Sequence, residues 1–355
     1  MKSCFSKPLL SFLGSLLVVA GLAWAAMAVD VVFSGDALAQ TRGAVPGNVQ
    51  GSANDSDMWR RLRRGEGFVI SDPRTGTVVA IQSSGEEWRA FRNGPLSTYG
   101  GWLLAVSALA IGAFYVLMGR LNIDGGPTGR WLPRFTNAER VIHWYVAATF
   151  IMLAVSGLTI LFGKQVLMPL IGQKAFSVVA SAFLQGHNLF GPLFIVGIVA
   201  MFIIYLKDNF LKAADIKWLM MGGLFSKSHP PSWKFNFGEK AWFWLAVITG
   251  AILSVSGIIL DFPSLLGERS QLQLALLFHA GAAVIVIAAA IAHIYLGTIG
   301  VEGALEGMTA GRVDENWAKQ HHDLWAEEVM AEQATTEDGP AHPPANAGPQ
   351  PAPGE

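Results

Sequence analysis

Two histidines, His279 and His293, stand in an otherwise apolar stretch, "LLFHAGAAVIVIAAAIAHIYLG" (276–297). An imidazole in hydrocarbon is costly, so it needs a partner there. Fourteen residues separate the two. On an α-helix that spacing is a rise of about 21 Å and falls within about 40° of four full turns. The rings therefore share one face at two depths. Neutral imidazole ligates iron through a ring nitrogen, and helical bundles commonly hold cofactors between facing helices. His143 and His187 lie at the start of two other apolar runs and are candidate partners.

The elements that would position these rings follow from composition. Hydrophobic residues make up 52% of the 355-residue chain and charged ones only 14%. That is too apolar for an ordinary soluble domain. A net charge of −1 gives no sign of nucleic-acid binding. The only cysteine is Cys4, which excludes an internal disulfide, an iron–sulfur cluster and a c-type haem attachment motif. Any redox cofactor must be held without thiols.

Lys2 and Lys7 precede an apolar run and the small-residue site "ALAQ", so residues 1–39 read as a signal peptide or signal anchor. Residues 40–98 form a polar exported segment, with a β-hairpin expected in "GFVISDPRTGTVVAIQS". Five apolar spans follow, near 99–119, 141–162, 186–206, 241–260 and 274–298, each long enough or nearly so to cross a bilayer. Loop 120–140 carries Arg120, Arg130, Arg134 and Arg140, and loop 207–240 carries six lysines. These basic loops belong in the cytoplasm, which puts residues 40–98 in the periplasm. Residues 99–119 form an extra transmembrane helix ahead of a four-helix domain at 120–330. The tail, 331–355, is rich in Pro, Ala and Glu and reads as disordered.

This topology gives each histidine a depth. His187 and His279 fall near the outer face, His143 and His293 near the inner one. Two bis-histidine haems b, stacked across the membrane, fit the pattern. Gly157 lies fourteen residues after His143 and should face the outer haem. An internal repeat agrees: "NAERVIHWYVAATFIMLAVSGL" (137–158) matches "FGEKAWFWLAVITGAILSVSGI" (237–258), and His187 then matches His279. The inner pair breaks the repeat, since His143 and His293 correspond to Phe243 and Met201. His229 and His342 read as solvated, and His321 and His322 as docking or solvated residues that could help seal a site at the inner face.

The motifs "RFTNAERVIHW", "GHNLFGP", "KFNFGEKAWFW", "LLFHAGAAVIVIAAAIAHIYLG" and "GRVDENWAKQHHDLW" resemble, in order, the cytochrome b (gamma) subunit of respiratory membrane-bound formate dehydrogenases. The likeness covers about 134–330, and "FRNGPLSTYG" resembles the longer form with an N-terminal exported extension. It implies an all-α membrane protein: a four-helix di-haem b bundle plus one extra helix. It implies His143, His187, His279 and His293 as the haem ligands, and a quinone site beside the inner haem for menaquinone or ubiquinone. In the family a "NAGQK"-like turn contributes to that site. Here it reads Asn236-Phe237-Gly238-Glu239-Lys240, so Asn236 and Gly238 match while Phe and Glu replace Ala and Gln. Asn236 would hydrogen-bond a quinone carbonyl, Gly238 would admit close backbone approach, and Glu239 is a candidate proton relay.

The resemblance further implies an iron–sulfur (beta) subunit and a molybdenum- or tungsten-containing catalytic (alpha) subunit as partners, with formate chemistry on the latter. It implies a bacterial inner-membrane location, contact with lipid, and a possible higher oligomer of the complex. Related b-type subunits serve membrane hydrogenases and thiosulfate reductases, an alternative for the electron donor. A proton-relay transporter is an alternative of another class, and it predicts histidines along one path without paired depths.

Overall fold

The computed structural model describes residues 63–64, 83–223, 229–265 and 269–337. The signal segment lies outside them, as does nearly all of the expected hairpin. Among the described residues five helices are long and apolar enough to cross a membrane: Gly85–Met118, Asn137–Val166, Met168–Asp208, Phe237–Asp261 and Arg269–Gly300. Four of the five expected spans fall inside these helices, and the first, 99–119, overruns its helix by Gly119 alone.

The described elements are α1 (Ser83–Phe91), α2 (Ser97–Met118), β1 (Trp131–Pro133), α3 (Asn137–Val166), α4 (Met168–Tyr205), α5 (Ala213–Met220), α6 (Phe237–Asp261), α7 (Arg269–Tyr295), α8 (Ala304–Ala310), β2 (Arg312–Asp314), α9 (Glu315–His321) and α10 (Asp323–Glu337). Helices α3, α4, α6 and α7 form the bundle: α3 packs on α4, α4 on α6 and α6 on α7, while α3 and α7 meet only sparsely. Helix α2 lies outside, against α7, where Gly100 lets Val284 approach to 3.3 Å of the place a Cβ would take. Within the bundle, an added Cβ would come within 2.9 Å of Tyr145 at Gly197 and 2.8 Å of Ile198 at Gly250. Small residues at such crossings let backbones approach where no hydrophobic effect drives association. Large apolar side chains face outward instead, Val116 at 81% exposure and Ile203 at 68%, as lipid contact requires.

Three stretches differ from the sequence reading. The connection expected over 163–185 is mostly helix, because α4 starts at Met168 and bends at Gly172, whose φ of 80° takes the left-handed conformation that glycine adopts without strain. Helix α1 leads into α2 through a π turn, Arg92–Leu96, so the polar segment ends in helix. The tail is helical to Glu337: "AEQATTE" (331–337) contains neither Pro nor Gly, and every proline of the tail lies beyond it.

One end of the bundle carries a cap made of the chain between α2 and α3 and the chain after α7. Strands β1 and β2 pair antiparallel, Leu132 opposite Val313. Two strands alone would be marginal, but here they rest on a buried cluster of Leu132, Val313, Trp317, Ala318, Trp325 and Ala326. The Asp314 carboxylate accepts from the backbone N–H groups of Thr128, Gly129 and Asn316 at 3.1, 2.8 and 2.9 Å. Burial opposes its charge, yet these donors hold the carboxyl below its ordinary range. Arg140 fastens α3 to the cap by donating to the carbonyls of Met308 and Thr309.

Candidate functional site

Helices α3 and α6 begin alike. Thr136 and Glu139 form a capping box at α3, and Asn236 and Glu239 form one at α6. Each N-cap oxygen accepts from the N–H three residues on, and each glutamate accepts from the N-cap N–H. The offset of one hundred residues recurs at the far ends of both helices, where Ser156-Gly157 and Ser256-Gly257 lie.

Those dipeptides back two imidazoles. His187 of α4 and His279 of α7 face each other with ring centres 6.0 Å apart and planes at 69°. Ser156 Oγ lies 2.8 Å from His187 Nδ1, and Ser256 Oγ 3.0 Å from His279 Nδ1. Each hydroxyl has one hydrogen, and donates it to a carbonyl one turn back, Met152 at 2.8 Å and Ile252 at 2.6 Å. The serine oxygens therefore accept from Nδ1–H. The carbonyls of Leu153 and Leu253, which can only accept, also reach these rings. Both arrangements place the proton on Nδ1 and leave the Nε2 lone pair available. A Cβ at Gly157 would stand 3.3 Å from His187 Cε1, and one at Gly257 3.4 Å from His279 Cε1. Glycine is what lets each ring lie against the neighbouring helix.

The second pair sits at the capped end. His143 of α3 and His293 of α7 have ring centres 6.2 Å apart and planes at 60°. Trp242 stacks on His293 at 4.6 Å and 15°, and Trp144 meets His143 edge-on at 5.3 Å. His143 Nδ1 is buried without a hydrogen-bond partner. The positions equivalent in the repeat, Phe243 and Met201, instead join an apolar cluster with Phe135, Tyr205 and Phe235.

The geometry fits a shared metal. A metal–imidazole bond is about 2 Å, and the ring centre lies roughly 1.1 Å behind the nitrogen, so two imidazoles on opposite sides of one metal have centres ~6.3 Å apart. Both pairs meet that separation. Among the described residues no group of three or more His, Cys, Asp or Glu is placed to hold a bare metal ion. Two nitrogens per site therefore suit a metal whose other ligands come from a macrocycle.

A family model, that of the prokaryotic cytochrome b561, matches residues 134–311. The chain belongs to this family. Membership implies haem b. The chain is also similar to the cytochrome b556(fdo) subunit of formate dehydrogenase from Escherichia coli K12, 33% identical over 201 residues, which are 55% of this chain and 92% of that one. It is 30% identical over 206 residues to the nitrate-inducible formate dehydrogenase cytochrome b556(Fdn) subunit of the same organism, covering 56% and 92%. Against the formate dehydrogenase cytochrome b556 subunit of Haemophilus influenzae it is 27% identical over 206 residues, covering 56% and 84%.

The expected turn at Asn236 has a structural occupation in this cytochrome. Asn236 Oδ1 accepts from Glu239 N at 3.0 Å, so the cap takes the oxygen and not the Nδ2 donor. Gly238 faces Asn236 Oδ1 and Trp218, 3.3 and 3.5 Å from where a Cβ would lie. The tighter neighbour is thus the capping oxygen of Asn236, while the Trp218 ring is in ordinary contact.

Beside this turn lies a charged cluster. The Arg134 side chain, 5% exposed, donates to Glu239 Oε1, to the Lys234 carbonyl and to His322 Nε2, each at 3.0 Å. Since Arg134 can only donate, His322 carries its proton on Nδ1, which donates to the Trp233 carbonyl at 2.7 Å. Burial, then the Arg134 charge, hold His322 neutral far below the usual imidazole range. Lys240 pairs with Asp215 at 2.7 Å with both side chains buried, and Lys234 pairs with Glu139 and Asp208 at 2.7 and 3.2 Å. His229, read as solvated, is half-exposed and paired with Asp124 at 2.9 Å.

Sequence reasoning missed Ser156, Ser256, Gly257, Trp242 and Arg134. The repeat carried the signal for three of them: "VSG" occurs in both copies. Nothing local marked Trp242 or Arg134, whose partners come from distant segments.

Proposed function

We propose that this chain is the electron-transfer subunit of a membrane formate dehydrogenase, carrying electrons between two b haems to a quinone. The observation that carries the reading is the pair of facing imidazole sets, both near 6 Å between ring centres and on opposite halves of the bundle. His187 and His279 would hold one haem b and His143 and His293 the other, with Gly157 giving room at the first. When bound, the haems supply one-electron chemistry. This chain's residues keep each Nε2 available, exclude water with the surrounding apolar side chains and fix the rings; Ser156 and Ser256 do so through Nδ1.

The capped end carries Arg134, Arg140, Lys234 and Lys240, which by the positive-inside rule supports a cytoplasmic position for it. Electrons would enter at the periplasmic pair and leave at the cytoplasmic one, where a quinone, menaquinone or ubiquinone, is reduced. Oxidising the donor outside and taking up protons inside stores energy across the inner membrane. The names of the relatives support formate as the donor. An iron–sulfur subunit and a molybdenum or tungsten subunit would then complete the complex. The Asn236 amide, through Nδ2, and the turn at Gly238 are the proposed quinone contacts.

Reduced-minus-oxidised spectra of the purified complex test this. His187→Ala and His279→Ala should remove the same α-band component, and His143→Ala and His293→Ala the other. A colourless native chain, or loss of one component in both His143→Ala and His187→Ala, refutes the assignment.

A further inference from the structure

At the capped end His321 is mostly buried, outside the proposed haem sites and outside the hydrogen bonds of the Arg134 cluster. His321 packs its ring 5.2 Å from Trp317, and its Nε2 is buried with no hydrogen-bond partner. The charged and titratable groups that act on it come from four other segments: Asp124 in the chain before β1, Arg134 after it, His229 ahead of α6, and Glu239 in α6. On its own segment it has His322.

These groups are graded by exposure. Asp124 and His229 are paired at the surface, their side chains 76% and 40% exposed. Asp124 is tied to the histidine's own helix, since its backbone N–H donates to Gln320 Oε1 at 2.9 Å. Glu239 is 35% exposed although its partners Arg134 and His322 are 5% and 1%. Glu239 is thus reachable where its partners are not, and it lies one helical turn before Trp242, which stacks on His293 of the capped-end pair. Surface pair, buried imidazole, rim carboxylate and ligand imidazole thus all gather at the capped end, with exposure falling from the Asp124–His229 pair to His321.

We propose that His321 is the proton carrier of the capped end, taking protons from Asp124–His229 and passing them through Glu239 to a quinone beside His143 and His293. The inference rests on the quinone-reducing reading above. Quinone becomes quinol by gaining two electrons and two protons. The electrons arrive singly from the neighbouring haem. Each proton leaves His321 by way of Glu239 and is replaced from bulk water through His229. Burial, against the opposing pull of Glu239, holds His321 neutral down to about 4. An imidazolium formed there is a strong acid, suited to handing a proton on rather than storing it.

The test uses the complete complex in detergent, with reduced methyl viologen as electron donor, menadione as acceptor and a pH indicator in weak buffer. Haem reduction by the viologen is followed at the α-band, and proton uptake in the same stopped-flow trace. His321→Ala should leave haem content and the rate of haem reduction unchanged. It should slow menadione reduction and proton uptake together by tenfold or more, and millimolar imidazole should restore both. Asp124→Asn with His229→Gln lies at the surface and tests the entry without touching the fold; it should slow proton uptake at least twofold, most at alkaline pH where protons are scarce. Normal rates in both variants, or a slow His321→Ala that imidazole does not restore, overturn the proposal. If His321→Ala fails to assemble, the surface variant decides alone. Wild-type complex whose haems reduce but never pass electrons to menadione overturns the quinone reading instead.

Discussion

Ser256→Ala removes a single hydroxyl from the proposed far-end haem site, and its effect can be worked from the contacts. Ser256 Oγ accepts from His279 Nδ1–H at 3.0 Å while donating to the Ile252 carbonyl at 2.6 Å. Alanine deletes the acceptor and leaves a ring N–H in a buried position. An unsatisfied buried donor costs about 1–3 kcal/mol. The Leu253 carbonyl reaches the same ring, so the N–H keeps one acceptor and the cost sits near the lower limit. At about 1.4 kcal/mol per factor of ten, 1 kcal/mol is roughly fivefold. That is just below the 10–100-fold, about, typical of losing an outer partner of a metal-bound histidine. We expect haem transfer to apomyoglobin from this site to quicken about fivefold. The ring also loses electron density once its N–H is less strongly held, which favours ferrous iron, so the midpoint potential of that haem rises. Ser156→Ala should act on the same haem through His187, and Ser256→Thr should act on neither property. Unchanged retention and potential in both alanine variants would falsify the backing role. So would an effect on the haem that His143→Ala removes.

Four other outcomes can be measured. Gly157→Ala places a methyl 3.3 Å from His187 Cε1; the ring must turn or shift by a few tenths of an ångström, and the low-spin EPR signal of the far-end haem should move while the other stays. Lys240→Met should destabilise the folded chain by about 3–5 kcal/mol, because it leaves Asp215 buried and unpaired, and pairing it with Asp215→Leu should recover most of the loss in a denaturation midpoint. Asn236→Asp retains an N-cap acceptor but deletes the Nδ2 donor, so quinol formation should slow with thermal stability unchanged; equal kinetics would remove Asn236 from the quinone site. For pH, His321 is held neutral down to about 4 in the folded chain against about 6.5 when unfolded. The unfolded chain binds the extra proton first, so the stabilisation is whole above about 6.5 and declines between there and about 4. Tryptophan fluorescence of the cap, with His321→Phe as a control lacking the dependence, reads this directly.

The spans and both imidazole pairs were legible because membrane folding is ruled by length, apolarity and depth. A helix has to cover about 30 Å of hydrocarbon, so the order of loops assigns each histidine a level, and the level assigns its partner. The repeat was legible for the same reason: "VSG" at 155–157 and 255–257 marks the place where a ring from the next helix needs both an acceptor and missing bulk. The cap was not legible. Its strands are three residues long and pair across a separation of about 180 residues, too short for a period to register. Arg134 and His322 look like loop charges in the sequence, yet they are buried because Trp317, Phe135 and the Lys234 carbonyl close over them. The start of α4 was missed because a bent helix reads as a connection when Gly172, Gln173 and Lys174 break its apolar run.

The departure from internal symmetry also has a physical rationale. At the far end both halves of the repeat supply the same set, Ser-Gly on one helix and His on the next, and the two imidazoles meet between them. A second symmetric site at the capped end would need ligands at Phe243 and Met201 as well as at their counterparts. Those positions pack instead into the cluster of Phe135, Tyr205 and Phe235 that anchors the cap. The capped-end pair stands instead on α3 and α7, which meet only sparsely. The Arg134–Glu239–His322 cluster lies at this end of the bundle and has no counterpart in the far-end set. An electron-transfer protein that merely relayed charge would have no use for such lopsidedness. One that must deliver protons at one end and exclude them at the other does, because a symmetric bundle would open both ends alike. Grafting His at Phe243 should therefore damage the cap before it creates a new site, which loss of Trp317 and Trp325 burial would reveal.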